Sequence, residues 1–305
     1  MLLFTIRRLF VALMVAITVS LVAFSLLRFT GDLATSLAGP DATAEDIAAV
    51  RVAYGLDKPI LIQYYDWLAK ALAGDFGRSY YFPATVWELI GNAMPITLTL
   101  AGLGLLFSLI IGIPLGVVAA LRPGSWIDRF AMTLAVIGQA IPNFWFGLMM
   151  IVLFGLMLSW FPISGNQTWQ HFVMPSFVLG YSSAPAVMRL TRSGMLEVLS
   201  ADYIRTAYAK GLSPYRVLFK HALRNAVIPV VALASVQFGN MLTGSIVTET
   251  VFSMNGLGYL AWMSISRQDF PVVQAILLMG AMFYVWLTFA SDLINAWLDP
   301  RIRVS

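Results

Sequence analysis

Cysteine is absent from this 305-residue chain, which rules out a disulfide framework, a thiolate metal site and a cysteine nucleophile. Histidine is almost absent: His171 and His221 stand 50 residues apart, each at the edge of an apolar run, and no H-E-x-x-H pattern exists. Charge is scarce as well. Charged residues make up 11% of the chain against 59% hydrophobic, with a mean hydropathy of +0.81, and no water-soluble globule has that balance. No G-x-x-x-x-G-K-[ST] loop occurs, so the chain has no phosphate cradle of the P-loop kind. The long apolar runs hold almost no ionisable side chains, so a proton- or sodium-coupled carrier would lack its coupling groups. The formal charge of +4 reflects the topogenic Lys and Arg of a membrane protein, not nucleic-acid binding.

What is there is apolar helix. A bilayer core needs about 20 apolar residues, and six runs meet or approach that length: Leu9–Leu27, Ala93–Leu121, Phe130–Leu158, Phe172–Met188, Asn225–Thr248 and Phe270–Ser291. The fourth is short and carries Pro175 and Pro185. The first is too long for the h-region of a secretory signal and no A-x-A site follows it, so it reads as a retained anchor. The expected fold is an all-α polytopic membrane protein with six transmembrane helices. Six spans put both termini on one side. Thirteen of the nineteen Lys and Arg fall on that side, among them Arg7, Arg8, Arg122, Arg129, Arg189, Arg192, Arg301 and Arg303, which makes it cytoplasmic. Arg28 lies at the opposite boundary. Residues 42–80, between the first two spans, are extracytoplasmic and helical, with breaks at Gly55 and Gly74. Leu61, Tyr64, Tyr65 and Leu68 form a helical stripe there, to lie against the membrane or the other helices.

One stretch breaks the apolar pattern. Residues 201–230, ADYIRTAYAKGLSPYRVLFKHALRNAVIPV, hold five of the nineteen Lys and Arg. Ser200 or Asp202 can N-cap a short helix running to about Lys210, Gly211 can take the left-handed position that ends it, and Ser213-Pro214 starts a second helix. Ile204 with Tyr208, and Tyr203 with Ala207, make apolar stripes, while Arg205 lies off that face. Two readings fit equally: a helix held in a groove of another protein, or an interfacial helix on anionic lipid.

DYIRTAYAKGLS followed by RVLFKHALRNAVIP resembles the EAA loop of type I ABC importer permeases, specifically the dipeptide/oligopeptide/nickel group and its first permease. Similar segments run through nearly the whole chain in order: YGLDKPILIQYYDWL, GDFGRSY, IPNFWFGLMMIVLF, WFPISG, ETVFSMNGLGYLAWMSISRQDFPVVQ and LDPR. Tyr208 stands where arginine is common in the group, and Asn255 where proline usually precedes Gly-Leu-Gly.

The resemblance implies a type I ABC importer permease fold, with residues 1–92 as an N-terminal helix plus extracytoplasmic segment. Residues 93–305 would be a five-helix core bearing a cytoplasmic loop at 189–224. It implies an ATPase-coupling helix formed by Asp202, Arg205, Ala207, Lys210, Gly211, Leu212 and Ser213. It also implies partners: a second homologous permease, two cytoplasmic ATPase subunits or domains that bind ATP and Mg, and an extracytoplasmic binding protein. The chain itself would hold no cofactor and lie in the bacterial inner membrane. Docking of the binding protein is expected at Gly77, Arg78 and Ser79 and at Gly256, Gly258 and Asp269. Polar side chains in or near the spans are candidates for the translocation pathway: Asn92, Gln139, Asn143, Gln237 and Asn240, with Asp292 a pathway or interface group. Each amide has the alternative of an interhelical hydrogen bond. The expected cargo is a di- or oligopeptide, with nickel, glutathione or another small solute as the alternative and a self-sufficient secondary transporter as the rival class.

Overall fold

Proline and glycine decide where the apolar runs become helices and where those helices break. The computed structural model describes residues 2–29, 33–39 and 41–298. In chain order the helices are α1 (Leu2–Phe29), α2 (Leu33–Ala38), α3 (Ala44–Ala53), α4 (Ile60–Leu72), α5 (Val86–Leu121), α6 (Trp126–Ala140) and α7 (Asn143–Met150). They continue with α8 (Gln170–Tyr181), α9 (Ala184–Leu199), α10 (Asp202–Ala209), α11 (Pro214–Arg216), α12 (Arg224–Ala226), α13 (Ile228–Val251), α14 (Leu257–Ser266) and α15 (Phe270–Leu298). Wider π-helical turns extend α7 over Ile151–Met157 and join α11 to α12 over Val217–Leu223. Arg301 and Arg303 lie outside the described residues, as do the side chains of Arg7, Arg8, Arg28 and Asp292.

Among the described residues two helices, Val86–Leu121 and Phe270–Ala290, are each long and apolar enough to cross a bilayer, and two bent pairs raise that to four. The run expected as one straight span at Phe130–Leu158 is instead broken, its halves meeting at 98°. Pro142 is the cause: its ring disfavours helical backbone at the residue before it, and Ile141 is extended (φ −81°, ψ 123°). The carbonyl freed at Ile141 accepts a hydrogen bond from the Tyr181 hydroxyl at 2.6 Å. The fourth run is also divided, at Ser182 and Ser183, and its second half continues past Met188 to Leu199. Pro185 falls in the first turn of α9, where a missing N–H leaves no hydrogen bond unmade. Pro229 likewise opens α13, which bends 50° from the segment before it.

The chain divides into two compact units, one built from the chain up to Pro95 with Tyr259–Trp286, the other from Ile96–Gly258 with the chain from Leu287. The boundary expected after residue 92 falls inside α5, and Tyr259–Trp286 belongs with the N-terminal unit.

In the first unit, α3 starts with a capping box in which Thr43 and Asp46 satisfy each other's backbone amides. The expected stripe on α4 is split. Tyr64 bonds Ser20 at 2.8 Å and, with Trp67, packs on Phe24, whereas Leu61 and Tyr65 point outward. The 3.6-residue period gave the helix correctly but not which arc α1 covers.

In the second unit, Leu100, Met174, Val178, Phe252 and Met254 form one fully buried cluster. Gly112 and Gly116 bring α5 close against α9. A Cβ on Gly116 would sit 2.6 Å from the Met188 carbonyl oxygen and 2.7 Å from Thr191 Cβ, and one on Gly112 would sit 2.8 Å from the Ala184 carbonyl oxygen. Side chains at these two positions would force the helices apart. Gly116→Val should therefore destabilise the detergent-solubilised chain by about 3 kcal/mol or more, seen as a lowered thermal midpoint. Gly102→Ala, at a position with nothing within 4 Å, should leave that midpoint unchanged or raise it.

Candidate functional site

The 201–230 hairpin is built by local chemistry. The N-cap of α10 is Ala201, with no side-chain cap. Neither expected capping side chain acts: Asp202 occupies the first helical position, where its charge suits the helix dipole, and Ser200 turns back to the Glu197 carbonyl. The C-terminus is as expected. Gly211 has φ +76°, its N–H reaches the Tyr208 carbonyl at 2.9 Å, and the Leu212 N–H reaches the Ala207 carbonyl at 3.4 Å, which is the Schellman arrangement. Ser213 then N-caps α11 through the Arg216 N–H, with Pro214 first in the helix. Across the turn, Asn225 Nδ2 donates to the Tyr203 hydroxyl at 2.9 Å.

The apolar stripes do not share one outward face. Ile204 and Ala207 are buried against Val117, Met195, Val217 and Ala222 of the same chain. The outward surface is Asp202, Tyr203, Arg205, Tyr208 and Lys210, with Gly211 and Ser213 at its end and Leu212 half-buried. Arg205 reaches Asp202 at 3.4 Å, an exposed pair of little energetic weight. The knob is thus seated by aliphatic packing and presents aromatic and charged groups to whatever lies beyond.

Beside it, Arg192 of α9 grips Asp128 of α6 with two bonds, 2.6 Å from Nε and 2.7 Å from Nη2, and the Gly124 N–H donates to the same carboxylate at 2.9 Å. The guanidinium first, then that N–H, hold the Asp128 carboxyl at about 2, below its ordinary 3.8. One turn earlier on α9, Arg189 Nη1 donates to Gln139 Oε1 at 3.0 Å. Gln139, expected on the pathway, is therefore engaged between helices. Gln237 and Asn240 bond each other at 3.4 Å on α13, Asn143 is half-buried just after the break at Pro142, and Asn92 is exposed on α5.

A feature that sequence reasoning passed over is Glu249, fully buried on α13. Its Oε1 accepts from Thr97 Oγ1 at 2.7 Å and from Ser245 Oγ at 2.8 Å, while Thr97 Oγ1 accepts from the Leu257 N–H at 2.8 Å. A Cβ on Gly256 would lie 2.5 Å from Glu249 Oε2, and one on Gly258 3.0 Å from it. The two glycines expected at a docking surface are therefore buried and let the 252–258 loop close over the carboxylate; Ser253 and Asn255 are what that loop exposes. The available signal was a glutamate standing directly after an apolar run.

Asp269 is also fully buried. It accepts from the Ser79 hydroxyl and, at 3.0 Å, from the Tyr80 N–H, while Arg267 lies 4.7 Å over the Tyr81 ring. The structure so brings Ser79 and Asp269 together, with Gly77 and Arg78 exposed beside them. Among the described residues, no group of three or more His, Asp or Glu side chains converges on a metal-sized site.

Residues 112–304 match the family model of the binding-protein-dependent transport system inner membrane component, and residues 1–101 match the model of that system's N-terminal membrane component. The chain belongs to this family. It is a multi-pass permease of the inner membrane, part of a binding-protein-dependent ABC importer with an ATPase and a binding protein, and not itself an ATPase. The rival reading as a self-sufficient carrier falls with that membership. The chain is 41% identical over 273 residues to the glutathione transport system permease protein GsiC of Salmonella typhimurium, covering 90% of this chain and 89% of that protein. It is 39% identical over 304 residues to GsiC of Escherichia coli K12, covering 99% of both. Among solved structures, the inward-facing MetNI methionine ABC transporter matches 70% of this chain and 97% of its own, with a TM-score of 0.58 at 21% identity, a likeness of fold.

The lowered carboxyl of Asp128 carries a pH signature. Its folded value lies below the ordinary one, so the stabilisation is complete above pH 3.8 and is lost as the pH falls toward 2. Asp128→Asn should lower stability at neutral pH by about 1–3 kcal/mol, because it leaves Arg192 without its carboxylate. Thermal unfolding at several pH values checks this: the gap between wild type and variant should narrow as the pH approaches 2.

Proposed function

We propose that the chain is a permease subunit of a glutathione importer, pairing with a second homologous permease and driven by two ATPase subunits or domains. The observation that carries this is identity of 39–41% to permeases named for glutathione transport, sustained over 89% or more of each chain. It favours the alternative cargo, glutathione, over the di- or oligopeptide expected from sequence. In this reading α10 is the coupling element, seated through Ile204 and Ala207 and offering Tyr203, Arg205 and Tyr208 to an ATPase cleft. ATP-driven closure moves the knob, and the hairpin, tied to α13 through Asn225 and the π-helical turns, carries the motion into the span. Wide turns of that kind often sit where helices serve function. The binding protein meets the extracytoplasmic loops at Gly77–Ser79 and at Ser253 and Asn255, with Asp269, Gly256 and Gly258 holding those loops in shape.

Proteoliposomes containing the assembled importer and its binding protein should take up labelled glutathione only when ATP is enclosed on the ATPase side. Uptake of dipeptides with none of glutathione would overturn the cargo assignment. A second measurement addresses coupling. Arg205→Glu combined with Tyr208→Asp alters exposed positions only, so the complex should assemble with an unchanged thermal midpoint, while uptake per ATP hydrolysed falls about tenfold or more. Unchanged uptake per ATP would remove α10 from the coupling role.

A further inference from the structure

The first unit contains an open-mouthed cavity of about 490 Å³, lined in part by Gly77 and Arg78 of the proposed docking loop. That volume lies within the range of small-ligand sites, roughly 300–1,000 Å³. Its lining combines three cations, Lys58, Lys70 and Arg78, with two carboxylates, Asp66 and Asp75. The carboxylates are already occupied: Asp66 holds Lys58 at 2.9 Å and Asp75 accepts the Gly77 N–H at 2.9 Å. Lys70 and Arg78 make no ion pair among the described residues, so the cavity has a surplus of unpaired positive charge.

Two amides complete the picture. Gln63 Nε2 donates to the carbonyls of Leu56 at 3.2 Å and Lys58 at 2.7 Å, which fixes which end of the amide faces which way. Gln63 Oε1 is consequently buried with no donor. Gln274, on the first turn and a half of α15, is nine-tenths buried, lines the same cavity and has no hydrogen-bond partner among the described residues. Gln63 Oε1 is closed off from the cavity, whereas the Gln274 amide is open to a ligand that supplies its hydrogen bonds. Trp67 and Phe76 supply apolar wall.

We infer that this cavity is a solute-binding site for a short peptide-like molecule, its carboxylate held by Lys70 and Arg78 and an amide group by Gln274. Cations select the carboxylate through charge-assisted bonds. The Gln274 amide, which can both donate and accept, selects a peptide backbone over a simple organic acid. The inference rests on the importer reading only for the side from which solute arrives; the lining chemistry stands apart from it.

The test is calorimetric titration of the full-length chain in lipid nanodiscs with triglycine, glutathione and triglycinamide, the last having no carboxylate. Triglycine and glutathione should bind saturably, and triglycinamide about tenfold or more weaker. Lys70→Gln with Arg78→Gln should weaken triglycine to the level of triglycinamide and leave triglycinamide itself unchanged, a pattern that general loss of structure does not produce. Gln274→Met should weaken both, and it alone decides the matter if the double variant unfolds. No saturable heat from the wild-type chain, or equal triglycine affinity in wild type and variants, would falsify the site. Glutathione uptake by the assembled importer is scored separately: uptake without cavity binding removes this inference, and cavity binding without uptake removes the cargo assignment.

Discussion

A carboxylate taken into an apolar body must bring its hydrogen-bond donors with it, because an unpaired buried charge costs more than the packing around it returns. Three such groups organise this chain. Asp128 takes Arg192 and the Gly124 amide, Glu249 takes Thr97 and Ser245, and Asp269 takes Ser79 and the Tyr80 amide. In each case at least one donor comes from a distant stretch of chain, so satisfying one carboxylate fixes a loop or a helix against its neighbour. Helix contacts made through Gly112 and Gly116 leave no slack to absorb a loss of that register.

The 201–230 hairpin follows the same economy with apolar groups. Ile204 and Ala207 anchor α10 to its own chain, and the Schellman end at Gly211 sets the direction in which the chain leaves. What remains outward is aromatic and charged, a surface suited to a specific partner more than to undirected burial in lipid. A rigid seat and a polar outer face are what the proposed coupling role requires: motion imposed on the outside would pass inward without being dissipated in the knob itself.

Much of this was legible in the residues. The apolar runs, the punctuated hairpin and the left-handed glycine follow from local rules with fixed periods and offsets. The order of motifs along the chain placed it in its family. The failures share a cause. Pro142 stands within the third run, yet a run of apolar residues reads the same whether its helix is straight or turned through 98°. Ser200 and Asp202 are good capping residues, and neither was used because the preceding turn had already set the entry of the chain.

Composition and spacing by themselves determined that this protein is helical, lies in a membrane, lacks a nucleotide site and carries a basic hairpin, since these depend only on what each short segment can do in water or lipid. The tertiary structure alone decided which arc of α10 faces inward, which amides are engaged and which are left open, and that Glu249 and Asp269 are buried latches. Those outcomes depend on groups distant in sequence, such as Thr97 and Glu249, arriving within 2.7 Å of each other. No pattern within either segment specifies that meeting.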